Sequence, residues 1–210
     1  ESIRGFLVEK GTPGFEAFDI ARKYSHRASV TSGLMLDEVR VPTENLLPGT
    51  EGLKSALLCL NEARFGIAWG AVGAAMACYE VALDYARSRI QFEVPIASFQ
   101  LVQRKLVKML AEITKGQLLC LQLGRLKDDG KARHTQISLA KMNNVSEALK
   151  ISRTARSILG ANGVALDYHV IRHMLNLEAV YTYEGTHDIH TLIVGRDITG
   201  EDAFAGKASS

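Results

Sequence analysis

Apolar positions change their spacing at about residue 51, and the change divides the chain. Before it, Ile3-Arg4-Gly5-Phe6-Leu7-Val8 is a short apolar run that ends at Lys10-Gly11-Thr12-Pro13-Gly14, a composition that breaks regular structure. A second extended candidate covers 30–41, where Leu34, Leu36, Val39 and Val41 fall on alternate or near-alternate positions ahead of Pro42. Residues 1–50 are therefore expected to be strand and loop. They are too few to close a sheet, and isolated strand pairs are marginal in water, so partner strands are expected from outside this segment.

From Gly52 the spacing becomes three and four. Leu53, Leu57, Leu60, Arg64, Ile67, Ala68, Ala71, Ala75, Cys78, Ala82 and Tyr85 predict one helix running to about Ser88. Gly66, Gly70 and Gly73 lie inside it, each costing roughly 1 kcal/mol against Ala; close approach of another helix is the expected reason. Ser98 is the expected N-cap of a second helix whose inward face carries Leu101, Val102, Leu106, Leu110, Ile113, Leu121 and Leu126. That helix should stop at Lys127-Asp128-Asp129-Gly130. A third is predicted over about 135–159, with Ile137, Ala140, Val145, Ala148, Leu149, Ile151, Ala155 and Ile158 inward. Shorter helices are expected near 168–176 and 188–198. Long helices with short connections predict a mainly α chain, an antiparallel bundle over 51–210.

Composition narrows this without changing it. A length of 210 residues allows one or two domains. With 47% apolar and 23% charged residues, a disordered or fibrous chain is excluded. A net charge of +2, with scattered basic residues, leaves no electrostatic footprint for nucleic acid. Cys59, Cys78 and Cys120 have no C-x-x-C spacing and sit in apolar helical patterns. Buried free thiols are expected, suiting a reducing compartment: cytoplasmic if bacterial, mitochondrial matrix if eukaryotic. No stretch is expected to span a bilayer, which takes roughly 20 apolar residues. The chain opens on Glu1-Ser2-Ile3-Arg4, with no initiator Met and no apolar signal core, and is expected to start within a strand.

The chemistry concentrates at Tyr183-Glu184-Gly185-Thr186-His187-Asp188-Ile189-His190. A carboxylate stands between an aromatic ring and a glycine at the start of a helix. That is a general-base arrangement with room for a flat ligand near the backbone. Thr186 can cap the helix or donate to an anion. Spacing alone also fits a loop carboxylate stabilised by the helix dipole. His187 and His190 lack a third metal ligand and read as exposed helix surface, so no metal is expected.

Tyr183-Glu184-Gly185-Thr186, followed by an amphipathic helix, resembles the C-terminal signature of the flavin-dependent acyl-CoA dehydrogenases. Arg89-Ile90-Gln91-Phe92-Glu93-Val94-Pro95-Ile96 with Gln100 resembles the family's R-x-x-F-G-x-P segment, and Leu159-Gly160-Ala161-Asn162-Gly163 its G-G-x-G turn. Tyr168-His169-Val170-Ile171-Arg172-His173, Asn176-Leu177-Glu178-Ala179-Val180 and Cys59 through Gly70 are similar to the glutaryl-CoA dehydrogenases within that family.

The resemblance implies a partial middle β domain over 1–50 and the C-terminal helical bundle over 51–210. It implies FAD as cofactor, an acyl-CoA substrate, electron-transferring flavoprotein as acceptor and a homotetramer. Glu184 falls at the catalytic base, with Gly185 touching substrate and Thr186 the flavin. Arg89 falls at the cation that pairs with the FAD pyrophosphate; Phe92, Gln100 and the segment Ser157, Ile158, Leu159, Gly160 and Ala161 fall at flavin contacts. Arg64 falls on the CoA side of the ligand, with Asn61 one helical turn before it. Two positions depart from the pattern: Glu93 replaces a Gly in the F-G-x-P turn, and Ala161 replaces the second Gly of G-G-x-G, where a positive φ is costly. The resemblance places the determinants of a glutaryl carboxylate upstream of position 1. A non-decarboxylating dehydrogenase, an oxidase on the same bundle, or an inactive self-associating helical fragment are the alternatives.

Overall fold

The computed structural model describes residues 3–203 and divides them into two compact units, one up to Glu62 and one from Ala63 onward. In the first, β1 (Phe15–Asp19) pairs antiparallel with β2 (Ser32–Leu36), Phe15 opposite Leu36 and Asp19 opposite Ser32. The second extended candidate thus holds a strand. The 3–8 run forms no named strand and contributes only a bridge between Phe6 and Leu46. The alternation of Phe15 and Ala17 escaped the sequence reading because only five residues carry it. Gly33 is fixed by packing: a Cβ there would fall 2.3 Å from the ring of Phe18 across the ladder.

Among the described residues, five α-helices follow the predicted order: α1 (Lys54–Ser88), α2 (Gln100–Asp128), α3 (His134–Leu159), α4 (Val170–Thr182) and α5 (His187–Thr199). A short hairpin of β3 (Ile90–Gln91) and β4 (Val94–Pro95) separates α1 from α2. α4 runs one and a half turns beyond its predicted end because Leu177 and Val180 continue its buried face. The main core joins Ala71, Ala75, Cys78, Ala82 and Ala86 of α1 to Leu106, Met109 and Ile113 of α2 and to the inward stripe of α3. All eight inward residues predicted for α3 are buried. Alanines on α1 let its backbone come close to those neighbours, where larger side chains would hold it off.

Four expectations are corrected. Ser98 does not cap α2; its hydroxyl donates to Pro95 O within a 3₁₀ turn, and Phe99 precedes the helix. The buried stripe of α2 is Leu106, Met109, Ile113, Gly116, Cys120 and Leu123, whereas Leu101, Leu110 and Leu121 are exposed. Leucines on both faces made the period ambiguous. A Cβ on Gly66, Gly70 or Gly73 would meet nothing within 4 Å, so no neighbouring helix requires them in this chain. Cys59 is exposed, while Cys78 and Cys120 are buried as expected. In addition, an 18-residue window of α1 has mean hydropathy 1.4, enough by length and composition to cross a membrane, contrary to the expectation that no stretch approaches this. Its buried alanines serve the bundle core.

Candidate active site

The connection between α4 and α5 is Tyr183-Glu184-Gly185-Thr186. The Tyr183 N–H donates to Ala179 O at 2.8 Å and closes α4. Glu184 then takes φ 56° and Gly185 φ 87°, two consecutive left-handed residues that reverse the chain. Thr186 returns to extended backbone and caps α5, its Oγ1 accepting the Ile189 N–H at 3.1 Å. A left-handed conformation costs an L-residue roughly 1–2 kcal/mol. At Gly185 a side chain would also be crowded, since a Cβ would lie 3.0 Å from His190 Nε2 and 3.3 Å from Arg64 Nη2.

Buried basic side chains hold this strained turn from three helices. Lys141 of α3 donates to Tyr183 O at 2.9 Å and to Gly185 O at 2.8 Å. The intervening carbonyl, Glu184 O, accepts from Arg64 Nε of α1 at 2.9 Å and is 3.1 Å from His190 Nε2 of α5. A carbonyl only accepts, so His190 carries a proton on Nε2 and donates it to this bond. Lys141 is 1% exposed, Arg64 8% and His190 0%. Burial, then the Arg64 cation, push the Lys141 ammonium down to about 8, opposed by the Glu184 carboxylate. Burial, then Lys141 and Arg64, push His190 down to about 4, opposed by its hydrogen bond to Glu184 O. Burial and then the Glu184 charge raise the Tyr183 phenol.

His190 therefore corrects its reading as exposed helix surface. His187 is half-buried and stacks on Tyr181 with ring centroids 4.6 Å apart. Lys141 was missed altogether, although a lysine on the apolar stripe of α3, between Ile137 and Val145, was a signal.

Against this web, Glu184 Oε2 is buried and has no hydrogen-bond partner among the described residues. An unpartnered buried carboxylate oxygen normally costs a few kcal/mol and calls for an explanation. Here the main chain of Glu184 is fixed and its acceptor is left available. That arrangement can receive a proton from a ligand held beside it.

The other predicted residues fall in three places. Arg89, Ile158, Leu159, Gly160 and Ala161 line one cavity of about 430 Å³ with Tyr85, Gln91, Ile96 and Asn162. Gly160 there has φ 61° and ψ −132°, a conformation for glycine only, whereas Ala161 has no positive φ and carries no backbone strain. Gly163 is set by packing, its Cβ position lying 2.4 Å from Arg156 O. Ser157 faces away, its Oγ accepting from Lys105 Nζ at 3.0 Å in a groove between α2 and α3. Phe92 sits at the tip of the β3–β4 hairpin, 87% exposed, its ring centroid 6.1 Å from that of Phe99; Gln100 opens α2 and is exposed. The tip residues Phe92 and Glu93 have φ 52° and 67°, so Glu93 holds a turn position that favours Gly. Asn61 is half-buried on α1 and belongs to the unit that ends at Glu62.

Residues 50–199 match the family model "Acyl-CoA dehydrogenase, C-terminal domain". A glutaryl-CoA dehydrogenase from Mycobacterium smegmatis is 57% identical with a TM-score of 0.94, covering 96% of this chain and 52% of that one. A glutaryl-CoA dehydrogenase structure from the same organism, in complex with FADH2, is 52% identical with a TM-score of 0.94, again covering 96% of this chain and 52% of that one. The short-chain specific acyl-CoA dehydrogenase of Megasphaera elsdenii is 33% identical over 195 residues, which is 92% of this chain and 51% of the relative. The chain thus spans about half the length of these relatives. With its helical bundle and its Tyr-Glu-Gly-Thr turn in place, the chain belongs to the acyl-CoA dehydrogenase family.

Proposed function

We propose that this chain carries the proton-abstracting part of an FAD-dependent acyl-CoA dehydrogenase of the glutaryl-CoA type. The observation that carries the reading is Glu184, a buried carboxylate oxygen with no protein partner on a main chain gripped by Arg64, Lys141 and His190. The glutaryl assignment is supported by the identity to the Mycobacterium smegmatis enzymes.

Glu184 takes the C2 proton of the thioester, and its backbone N–H serves the thioester oxygen as negative charge develops there. When bound, FAD supplies the acceptor for the hydride leaving C3. The residues around the 430 Å³ cavity fit such a cofactor: an exposed Arg89 for phosphate charge, glycine backbone at Gly160 and apolar walls from Ile96, Ile158 and Leu159. Phe92, Gln100, Ser157 and Thr186 are proposed as further flavin contacts, Gly185 as a substrate contact, and Asn61 and Arg64 as serving the CoA side. With glutaryl-CoA the enoyl product breaks its C4–C5 bond, releasing carbon dioxide and a dienolate. Glu184 returns its proton to C4, giving crotonyl-CoA. The whole protein is proposed to pass electrons to electron-transferring flavoprotein and to assemble as a homotetramer, with 1–50 closing a middle β domain.

Glu184→Gln tests the base. The flavin band is expected to remain while C2-proton exchange falls by roughly 10³-fold or more; retained exchange removes Glu184 from the role. Crotonyl-CoA with carbon dioxide is the expected product of the unsubstituted protein, whereas glutaconyl-CoA or hydrogen peroxide would replace the glutaryl reading with a non-decarboxylating dehydrogenase or an oxidase.

A further inference from the structure

We propose that Lys141 is the positioning residue of the base, clamping the main chain on both sides of Glu184 so that its carboxylate and its N–H keep their directions. The inference rests on Glu184 as the base. Tyr183 O belongs to the peptide plane that enters Glu184, and Lys141 Nζ holds it at 2.9 Å. Glu184 O belongs to the plane that leaves it, and Arg64 and His190 hold that one. Fixing both planes fixes φ and ψ of Glu184, and with them the Cα–Cβ direction. A trans peptide sets its C=O and N–H in opposite directions. Anchoring Tyr183 O on Lys141 therefore turns the Glu184 N–H away from the ammonium.

A second bond, from the same Nζ to Gly185 O at 2.8 Å, ties the far end of the reversal to α3. A lysine suits the task because one ammonium presents several donors from a single point. Its 1% exposure, in the middle of a helix packed against α2, α4 and α5, keeps that point rigid and out of reach of solvent. Lys141 thus acts through the loop rather than on a ligand.

In Lys141→Met, two carbonyls lose their donor and Glu184 is free to leave the left-handed region. Misplacement of a reacting group by about 1 Å costs on the order of 100-fold in rate. Two readouts apply to the flavin-loaded protein and, without substrate, to its backbone. Turnover per bound flavin should fall about 100-fold with KM within about threefold, as positional loss requires. Amide hydrogen exchange of residues 181–190 should rise at least tenfold while peptides of the α1–α3 core stay protected. Lys141→Arg, which retains a cationic donor, should recover the loop protection and part of the turnover.

Wild-type turnover per flavin, or unchanged exchange in 181–190, overturns the proposal. A uniform loss of protection across every helix, with normal turnover in the molecules that stay folded, also overturns it, because it marks a general structural role. Should Lys141→Met fail to fold, Lys141→Gln, which is shorter and keeps only a neutral amide donor group, is judged on the same two measurements. If Glu184→Gln retains proton exchange, the base assignment fails; the exchange of 181–190 still decides whether Lys141 clamps the loop.

Discussion

The unit up to Glu62 and the unit from Ala63 use their apolar residues in opposite ways. In the first, none of the described residues is fully buried, and Phe18, Leu34, Leu36 and Val30 stand 56%, 66%, 66% and 79% exposed. The second holds the whole core, with Ala68, Cys78, Cys120 and Ala155 at 0% exposure. Both regions have clear apolar patterns. What separates them is whether the chain itself supplies the opposing surface. A five-residue strand pair has one neighbour and two open faces, whereas α3 is covered by α2, α4 and α5. Pattern shows which residues want cover; it does not show where the cover comes from.

The contrast is most open to attack through stability. Met109→Ala removes a side chain that is 2% exposed from the main core and should cost about 3 kcal/mol. Leu36→Ala, at 66% exposure, should stay within about 0.5 kcal/mol. Thermal unfolding of both variants measures this, and equal losses would erase the distinction.

Acid is the next test. The buried basic side chains Arg64, Lys141 and His190 all belong to the second unit. His190 sits at about 4 in the folded chain against an ordinary 6.5. The unfolded chain therefore binds a proton that the folded one refuses, so the contribution of His190 to stability is complete above about pH 6.5 and drains as pH falls toward 4. A loss on the order of 2 kcal/mol, after allowance for solvent screening, is expected across that window and should shrink in His190→Phe. Protection from hydrogen exchange should fail there in α3, α5 and the loop between α4 and α5; if the β1–β2 hairpin alone responds, the assignment is wrong.

Gly66→Ala makes a smaller change in the opposite direction. With nothing within 4 Å of the new Cβ, helix propensity alone acts and should add about 1 kcal/mol, roughly 3 °C in melting temperature. A loss instead would mean that this face of α1 is covered in solution and that the second unit too borrows its cover. The least effect belongs to Glu93→Gly at the hairpin tip. Relief of φ 67° against the extra freedom of Gly should leave a gain of about 0.5 kcal/mol in chemical denaturation.

The helices were legible because their period persists. Over the 26 residues of α3 the apolar spacing leaves one solution, and the eight apolar residues read as inward are all buried, though the polar members of that face, Lys141 and Asn144 among them, were not read. It failed on α2, where Leu101, Leu110 and Leu121 offer a second stripe that only tertiary packing rejects. β1 was too short to carry a period. At the site, Tyr183-Glu184-Gly185-Thr186 was readable as one contiguous motif, and its neighbours were not. Lys141 lies 42 residues before the Tyr183 carbonyl it holds. A lysine in a helix is ordinarily taken for surface, since its charge is costly to bury. His190 was misread for the same reason: its partner is a main-chain oxygen, which no side-chain pattern announces.

The hydrogen bond from Arg64 to Glu184 joins residues 120 positions apart, and that separation governs when the turn takes shape. Helices form from local contacts within microseconds, but bonds between distant segments wait until the intervening chain has collapsed and docked. The turn between α4 and α5 draws its donors from α1, α3 and α5, so it acquires its final form only after the last of these has seated. It should also be the first to let go. A protease that cuts at residues 183–186 thus reports incomplete docking of α1 before any helix has melted. In a newly made chain, the moment the turn becomes resistant marks the completed docking of the helices that hold it.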